Sequence, residues 1–148
     1  MDKKAVLGAC KELVEKRLTE LQASLDALKS DLETAGKSSA GDKHETARAM
    51  MQLEEDKIQG QINEAREQRN TLEKLPFEGS KELVRAGHLI GTDKGLFYLS
   101  VSLGKVALGE SVLFAVSVDS PIGKSMLNQS VGDVVLMRGV AYRIETII

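Results

Sequence analysis

The amino-terminal half of the chain carries a seven-residue repeat of apolar side chains. Six apolar residues follow one another at alternating intervals of four and three residues: Val14, Leu18, Leu21, Leu25, Leu28 and Leu32. Mostly charged and amide residues lie between them, and the apolar face extends toward the amino terminus through Val6, Leu7, Cys10 and Leu13. This spacing predicts a helix from Lys3 to about Ala35 with a narrow apolar seam, ended by Gly36.

A second helical pattern runs from about Lys43 to Lys74. Its seven-residue repeat comprises Met51, Ile58, Ala65 and Leu72, with Ala47, Ile62 and Leu75 beside it. Two helices with narrow seams can cover each other by packing antiparallel, so the pattern predicts a helical hairpin. At 1.5 Å of rise per residue its length is about 45–50 Å. Because each seam is covered within the chain, we expect a monomer.

The periodicity changes to two after Pro76, which is typical of strands. Alternating apolar positions occur at 84–90 and 97–101, and residues 111–118 have the pattern of a buried strand. Residues 133–137 and 141–147 predict a hairpin about Arg138-Gly139. A short helix is predicted from Pro121 to about Gln129, because proline suits a first helical turn. These elements indicate four to six antiparallel strands near one helix.

The two patterns together predict an α+β protein of two small domains. Residues 1–75 form an antiparallel coiled-coil hairpin, and residues 76–148 form a small antiparallel β domain with one short helix. Composition changes at the same point, because two thirds of the charged residues precede Pro76 and all five aromatic residues follow it.

The overall charge and composition exclude several classes of protein. The 148 residues carry a formal net charge of −2, which argues against a general basic nucleic-acid binder. No run of 18 apolar residues is present, so we expect no membrane partner. The chain begins Met1-Asp2-Lys3-Lys4 and contains one cysteine, so we expect a cytoplasmic protein rather than a secreted, disulfide-bonded one.

Two acidic residues lie at the predicted start of the second helix. Asp42 and Glu45 are three residues apart, so their carboxylates can converge at the hairpin tip. Such a pair can share Mg²⁺, which prefers oxygen ligands, but a stable site needs further ligands from a partner. The same spacing is also that of a capping box, which satisfies free backbone N–H groups. Spacing alone leaves both interpretations open.

Other candidate chemistry is weaker. Gly123-Lys124-Ser125 has the end of a phosphate-binding loop, but position 118, where that loop needs its first glycine, is valine. His44 and His88 lack metal-ligand spacing, and Cys10 falls within the apolar stripe, where packing is its simplest role. The basic residues near the tip could face phosphates or simply solvent; these are Lys37, Lys43 and Arg48.

Three stretches resemble the Gre family of bacterial transcript cleavage factors, and together they span nearly the whole chain. Gly41-Asp42-Lys43-His44-Glu45-Thr46-Ala47 is similar to the tip motif Gly-Asp-Leu-Ser-Glu-Asn-Ala. Ser120-Pro121-Ile122-Gly123, followed by Gly132-Asp133-Val134-Val135, resembles that family's Ser-Pro-Leu-Gly and Gly-Asp-x-Val segments. The closing segment Tyr142–Ile147 is similar to its final Tyr-x-Ile-x-x-Ile strand.

The resemblance implies a fold, a partner and a mechanism. The carboxyl-terminal domain is expected to be FKBP-like and to dock beside the secondary channel of RNA polymerase. The hairpin then enters the channel, where Asp42 and Glu45 share a second Mg²⁺ with the polymerase, which hydrolyses the 3′ end of backtracked RNA. On this basis the protein is an accessory factor, not itself an enzyme, and it meets RNA only within the elongation complex.

The same resemblance assigns candidate contact residues and shows where the chain departs from the family. Ser120, Pro121, Ile122 and Gly123 match a segment near the polymerase contact, and Lys43 and Arg48 are further candidates for partner binding. The family's Leu and Ser between the two acids are replaced by Lys43 and His44, and its later Asn, Glu and Tyr by Thr46, Arg48 and Ala49. The tip is therefore more basic than the family pattern.

Three alternatives remain. A secondary-channel regulator without cleavage activity accounts for the altered tip. An FKBP-like prolyl isomerase or chaperone requires an aromatic-lined pocket, which a chain with five aromatics and no tryptophan is not expected to form. A coiled-coil dimerisation module predicts a dimer in solution instead of a monomer.

Overall fold

The computed structural model describes the backbone of residues 1–37 and 42–148, and the side chains of residues 1–34 and 45–148. Helix α1 spans Lys3–Lys37 and helix α2 spans Asp42–Lys74. The strands are β1 (Leu89–Thr92), β2 (Gly95–Ser100), β3 (Gly104–Leu108), β4 (Ser111–Ser117), β5 (Val134–Met137) and β6 (Val140–Ile147). A short helix, α3 (Pro121–Met126), connects β4 to β5. The predicted α+β class, a helical hairpin followed by a small sheet with one short helix, is confirmed.

The chain divides into two compact units. One comprises Leu13–Arg69, and the other comprises Met1–Glu12 together with Asn70–Ile148. We call them the hairpin unit and the sheet unit. The predicted domain boundary between residues 75 and 76 stays a prediction, and it lies within the sheet unit.

The hairpin unit is held together along the seam predicted from the heptads. Leu25, Ile58 and Ile62 form a buried cluster, against which three further leucines of α1 pack, namely Leu18, Leu21 and Leu28. Outside the seam, Arg69 of α2 lies 3.5 Å from Glu15 of α1. Both side chains are exposed, so the ion pair contributes little, and burial of the seam supplies most of the stability. Helix α1 continues one residue past Gly36, which was predicted to end it.

The six strands form one sheet in the order β3-β4-β2-β1-β6-β5. Four of the five neighbouring pairs are antiparallel, whereas β2 and β4 run parallel. The expectation of a purely antiparallel sheet is therefore wrong at this pair. The hairpin about Arg138-Gly139 is confirmed, with both residues at positive φ.

Both faces of the central strand β2 are covered. On one face, Phe97 and Leu99 join a core that includes Ile90, Ile144 and Met126 of α3. On the opposite face, Tyr98 is buried and its pKa is raised to about 12, first by burial and then by the neighbouring Cys10. Cys10 lies in the part of α1 that belongs to the sheet unit, and it acts on Tyr98 from there. A strand covered on both faces reads as a continuous apolar run.

Cys10 is a packing residue, as predicted. Its side chain is fully buried, and burial raises the pKa of its thiol to about 11. The thiol is therefore protonated at neutral pH and is not a nucleophile.

Candidate functional site

The segment matched to the Ser-Pro-x-Gly motif forms the entry to α3. Ser120 is the N-cap: its hydroxyl accepts a hydrogen bond of 3.1 Å from the amide of Gly123 and donates one of 2.6 Å to the carbonyl of Ser117. Pro121 occupies the first turn, where its missing N–H has no cost. The motif is thus explained locally by helix capping, which is a structural role.

Gly123 is required by close packing. A Cβ atom at this position would collide with the carbonyl oxygen of Ser117. Ser120 has its hydroxyl engaged and Gly123 is buried, so neither presents a side chain to a partner. Of the four predicted contact residues in this segment, Pro121 and Ile122 are therefore the two that offer side-chain surface.

Three of the five aromatic residues assemble next to Ile122. The Phe97 and Phe114 rings stack with centroids 5.7 Å apart, and Tyr142 meets Phe97 edge-on at 5.6 Å. Together with Ile122 and Met137 these rings line a cavity of about 390 Å³. The expectation that this chain forms no aromatic-lined pocket is therefore wrong. Few aromatics suffice when the sheet register places them side by side.

A second cavity of about 350 Å³ adjoins the first. The two share Ile122, Met137 and Tyr142, and the second also reaches Pro121 and Val140. We call the surface formed by both cavities the aromatic groove. It is an apolar depression of the size that takes partner side chains, and the two accessible residues of the Ser-Pro-Ile-Gly segment lie in its wall.

The aromatic groove carries a positive charge in each cavity. Lys94 lines the first, with its ammonium 5.7 Å from the Tyr142 ring centroid, and Arg138 lines the second. Lys94 is held by the carbonyl of Ala141 and lies 3.4 Å from Asp93. Among the described residues, neither cavity is lined by an acidic side chain. The groove therefore favours an apolar segment with carboxylates beside it.

Sequence reasoning did not find this groove. Lys94, Phe114 and Met137 form no motif in the sequence, because they come from the turn between β1 and β2, from β4 and from the end of β5. One signal was present: Phe97 and Phe114 lie at equivalent places in two apolar runs, and they are register partners in the parallel pair β2–β4. The pairing itself cannot be read from the sequence.

The tip acids are only partly described. Asp42 is the first residue of α2, and Glu45 lies one turn further along the helix. The side chains of Glu45 and Arg48 are both exposed. The side chains of Asp42, Lys43 and His44 lie outside the described residues, as does Gly41 entirely. The choice between a capping box and a metal-binding pair therefore stays open.

A complete metal site does not form within the described part of the chain. No three His, Cys, Asp or Glu side chains described by the structure are grouped as metal ligands. Glu45 is an exposed carboxylate, which fits Mg²⁺ as one ligand of a site completed by another molecule. None of the helices that the structure describes is both long and apolar enough to cross a membrane.

Comparisons with known proteins find little. No protein-family model matches the chain, and no curated protein matches it. Among solved structures, the chain is similar to the structure of the transcription factor Gfh1, with 19% sequence identity and a TM-score of 0.39. The alignment covers 94% of this chain and 93% of that one. A similarity at this level does not bear on what this chain binds.

Proposed function

We propose that this protein is a transcription factor that binds RNA polymerase and stimulates cleavage of backtracked RNA through Asp42 and Glu45. The observation that carries the proposal is the start of α2: Asp42 is its first residue, and Glu45 follows one turn later with an exposed side chain. Both lie at one end of a helix of 33 residues, about 50 Å long, in a hairpin whose seam is covered internally. The resemblance of residues 41–47 and 120–135 to the Gre family supplies the partner.

The two acidic residues at the tip are suited to supply carboxylate ligands to a metal site in another molecule. A hard cation such as Mg²⁺ keeps several waters and is held by one or two protein carboxylates, so Asp42 and Glu45 suit a site that the polymerase completes. Asp42 and Glu45 would help to hold Mg²⁺, which would supply an activated water for phosphodiester hydrolysis. The role of this chain is to bring two carboxylates to a position where the metal is otherwise weakly held. The reaction remains the polymerase's own.

The aromatic groove is the docking surface that fits this proposal. It contains Pro121 and Ile122, the accessible residues of the matched segment, and its walls are apolar with Lys94 and Arg138 as the charged members. Apolar contact supplies affinity, while the two cations select partners with acidic side chains.

Binding to core RNA polymerase tests the docking half of the proposal. Ile122→Ala and Arg138→Glu are expected to weaken binding, each by about tenfold, because they remove an apolar contact and reverse a charge in the groove. Lys105→Glu is the matched control, since Lys105 is an exposed cation on β3 that lines neither cavity. Equal binding by the three variants and the wild type contradicts docking through the groove.

Cleavage of stalled elongation complexes tests the catalytic half. Asp42→Asn and Glu45→Gln are expected to lose release of short 3′ RNA fragments while still binding polymerase. Glu54→Gln, an exposed acid further along α2, serves as the control and is expected to keep full activity. Full activity in both tip variants contradicts the metal role.

A channel regulator without cleavage activity is the second candidate. The exposed Arg48, one turn beyond Glu45, adds positive charge near the tip, where a cation competes with Mg²⁺ for the carboxylates. This candidate predicts slower RNA synthesis with no new 3′ fragments. Arg48→Ala then relieves the inhibition if the cation is responsible.

The aromatic groove also favours a third candidate, a prolyl isomerase or chaperone of FKBP type. Three rings lining a cavity of about 390 Å³ can hold an apolar peptide segment. Acceleration of a proline-limited refolding reaction, abolished by Tyr142→Ala, supports this activity. Refolding at the uncatalysed rate eliminates it.

A further inference from the structure

Strand β5 lies at an open edge of the sheet. It pairs with β6 on one side, and none of the strands that the structure describes pairs with its other side. Such an edge presents backbone N–H and C=O groups that can pair with another chain, and it is commonly protected by a lysine or a proline. Strand β3, at the opposite edge, carries the exposed Lys105. Strand β5 has no charged residue or proline, since it consists of Val134-Val135-Leu136-Met137.

The pairing of β5 with β6 determines which backbone groups face the open edge. The carbonyl of Asp133, just before β5, accepts a hydrogen bond of 2.9 Å from the amide of Ile144 and so faces β6. Residues whose backbone groups face the neighbouring strand alternate along an antiparallel pair. Val134 and Leu136 therefore direct their N–H and C=O groups away from β6. The carbonyl of Arg143, which is opposite Val134, likewise faces away from β5, toward the turn between β1 and β2.

The side chains of the same two residues are uncovered. Val134 is 50% exposed and Leu136 is 70% exposed, and no large apolar side chain that the structure describes is more exposed than Leu136. Val135, between them, points to the opposite face and belongs to the buried core. A strand that presents outward backbone groups and exposed apolar side chains at the same positions is suited to accept a further strand, which covers both.

The charges at the two ends of β5 indicate which strand fits. Asp133 directly precedes β5, with its carboxylate held by the amide and the hydroxyl of Ser130, and the exposed Arg138 directly follows it. When two copies of β5 pair antiparallel, the start of each strand lies beside the end of the other, so each Asp133 lies near the second copy's Arg138. Parallel pairing brings like charges together instead. The charges therefore favour a second copy of this chain in the antiparallel, two-fold symmetric arrangement.

We propose that two copies of this protein associate through antiparallel pairing of their β5 strands. In the register that uses all the outward backbone groups of β5, Val134 of one copy is opposite Leu136 of the other, and the two copies of Val135 meet at the two-fold axis. The exposed side chains of Val134 and Leu136 then cover each other. A contact limited to a strand of four residues is smaller than those of stable complexes, so we expect a dissociation constant of about 0.1 mM.

Sedimentation velocity of the full chain between about 5 and 500 µM tests the association. We expect the sedimentation coefficient to rise from that of a monomer toward that of a dimer. Leu136→Lys puts a charge into the paired edge and is expected to weaken association at least about tenfold. Leu53→Lys is the matched control, because Leu53 is 66% exposed but lies on α2. A monomer at every concentration, or equal weakening by the two variants, overturns the proposal.

Variants of Arg138 test the antiparallel arrangement in the same measurement. Arg138→Gln removes the charge that faces Asp133 of the second copy and is expected to weaken association about threefold, whereas Arg138→Lys keeps the charge and should associate as the wild type does. Stronger association of Arg138→Gln overturns the antiparallel pairing, because neutralisation strengthens only an arrangement that brings like charges together. These experiments contain no RNA polymerase, so their failure and that of the proposed function are distinguishable.

Discussion

The amide of Gly123 donates a 3.1 Å hydrogen bond to the hydroxyl of Ser120, three residues earlier at the N-cap of α3. The same hydroxyl donates to the carbonyl of Ser117, against which Gly123 packs so closely that no side chain fits. The two residues fix the turn from β4 into α3. This connection between β4 and α3 places Pro121 and Ile122 in the wall of the aromatic groove. A motif resembling a polymerase-contact segment thus acts mainly by holding two neighbours in position.

Replacing Gly123 by alanine is expected to destabilise the sheet unit by about 1–3 kcal/mol, because the new methyl group forces the Ser117 carbonyl to move. Urea denaturation followed by far-ultraviolet circular dichroism, which reports on both units, measures the loss. Gly60→Ala is the control: nothing lies within 4 Å of its added methyl group, and alanine favours helix α2 by up to about 1 kcal/mol. Equal stability of the two variants contradicts the packing argument.

Replacing Ser120 by alanine removes the N-cap and is expected to cost about 1 kcal/mol. The matched variant Ser125→Ala removes a hydroxyl that, among the described residues, bonds to the Pro121 carbonyl within the same helix. It should change the free energy of unfolding by less than about 0.5 kcal/mol. If both substitutions cost the same, the Ser120 hydroxyl has no special capping role.

Burial in the hairpin seam predicts a large loss of stability when Ile62 is truncated and a small loss when an exposed residue of the same helix is truncated. Ile62 is 1% exposed, and Ile62→Ala is expected to cost about 2–5 kcal/mol through lost burial and the cavity it leaves. Leu53 is 66% exposed, so Leu53→Ala should be nearly neutral. The comparison requires helix content measured by far-ultraviolet circular dichroism during thermal unfolding. A reversed order contradicts the assigned seam.

Stability is expected to fall when the pH drops below about 6.5, because of His88. Burial, with Lys3 and Lys81 nearby, holds the pKa of His88 below its usual 6.5 in the folded protein. As the pH falls, the unfolded chain therefore takes up a proton at His88 before the folded chain does, which favours unfolding. The contribution is fully present above pH 6.5 and is lost as the pH falls toward the pKa of the folded state.

Free energies of unfolding measured between about pH 7.5 and pH 5.5 check this sign. The wild type should lose more stability over that range than His88→Gln, which cannot titrate. An identical pH dependence of the two proteins assigns the loss to other groups.

The helices were predictable because a heptad pattern depends on local spacing alone. The predicted bounds of both helices agree with the structure to within two residues. The same holds for the strands β4, β5 and β6, where apolar runs are separated by a proline-initiated helix and a glycine turn. The predicted helix between β4 and β5 was too long: it was expected to reach about Gln129 and ends at Met126. Local propensity and tertiary packing point to the same structure in these segments.

The segment before β1 was predicted wrongly as a strand. Val84, Ala86 and His88 alternate, yet β1 begins only at Leu89. Val84 exchanges backbone hydrogen bonds with residues after α3, and His88 closes a turn onto the amide of Arg85. Gly87 has φ of 90°, which a regular strand does not adopt. The alternation arises because Val84 and His88 are both buried in a loop, where each makes hydrogen bonds that hold the loop in place.

Strand β3 was missed because only Val106 is buried in it. Its identity comes from pairing with β4, a contact the local sequence does not encode. The parallel β2–β4 pair has the same origin, and the aromatic groove depends on it through Phe97 and Phe114. The tip acids were found from residue type and spacing, and the Ser-Pro-Ile-Gly segment from its resemblance to a family motif, whereas the groove between strands was found from neither.

The Mg²⁺ dependence of RNA 3′-end cleavage in stalled elongation complexes tests the central claim most directly. If Asp42 and Glu45 supply metal ligands, the wild-type protein lowers the Mg²⁺ concentration at which cleavage is half-maximal. The variant carrying both Asp42→Asn and Glu45→Gln should bind polymerase equally well yet leave that concentration where it is without any factor. An identical Mg²⁺ dependence with the wild type and with this variant contradicts the account.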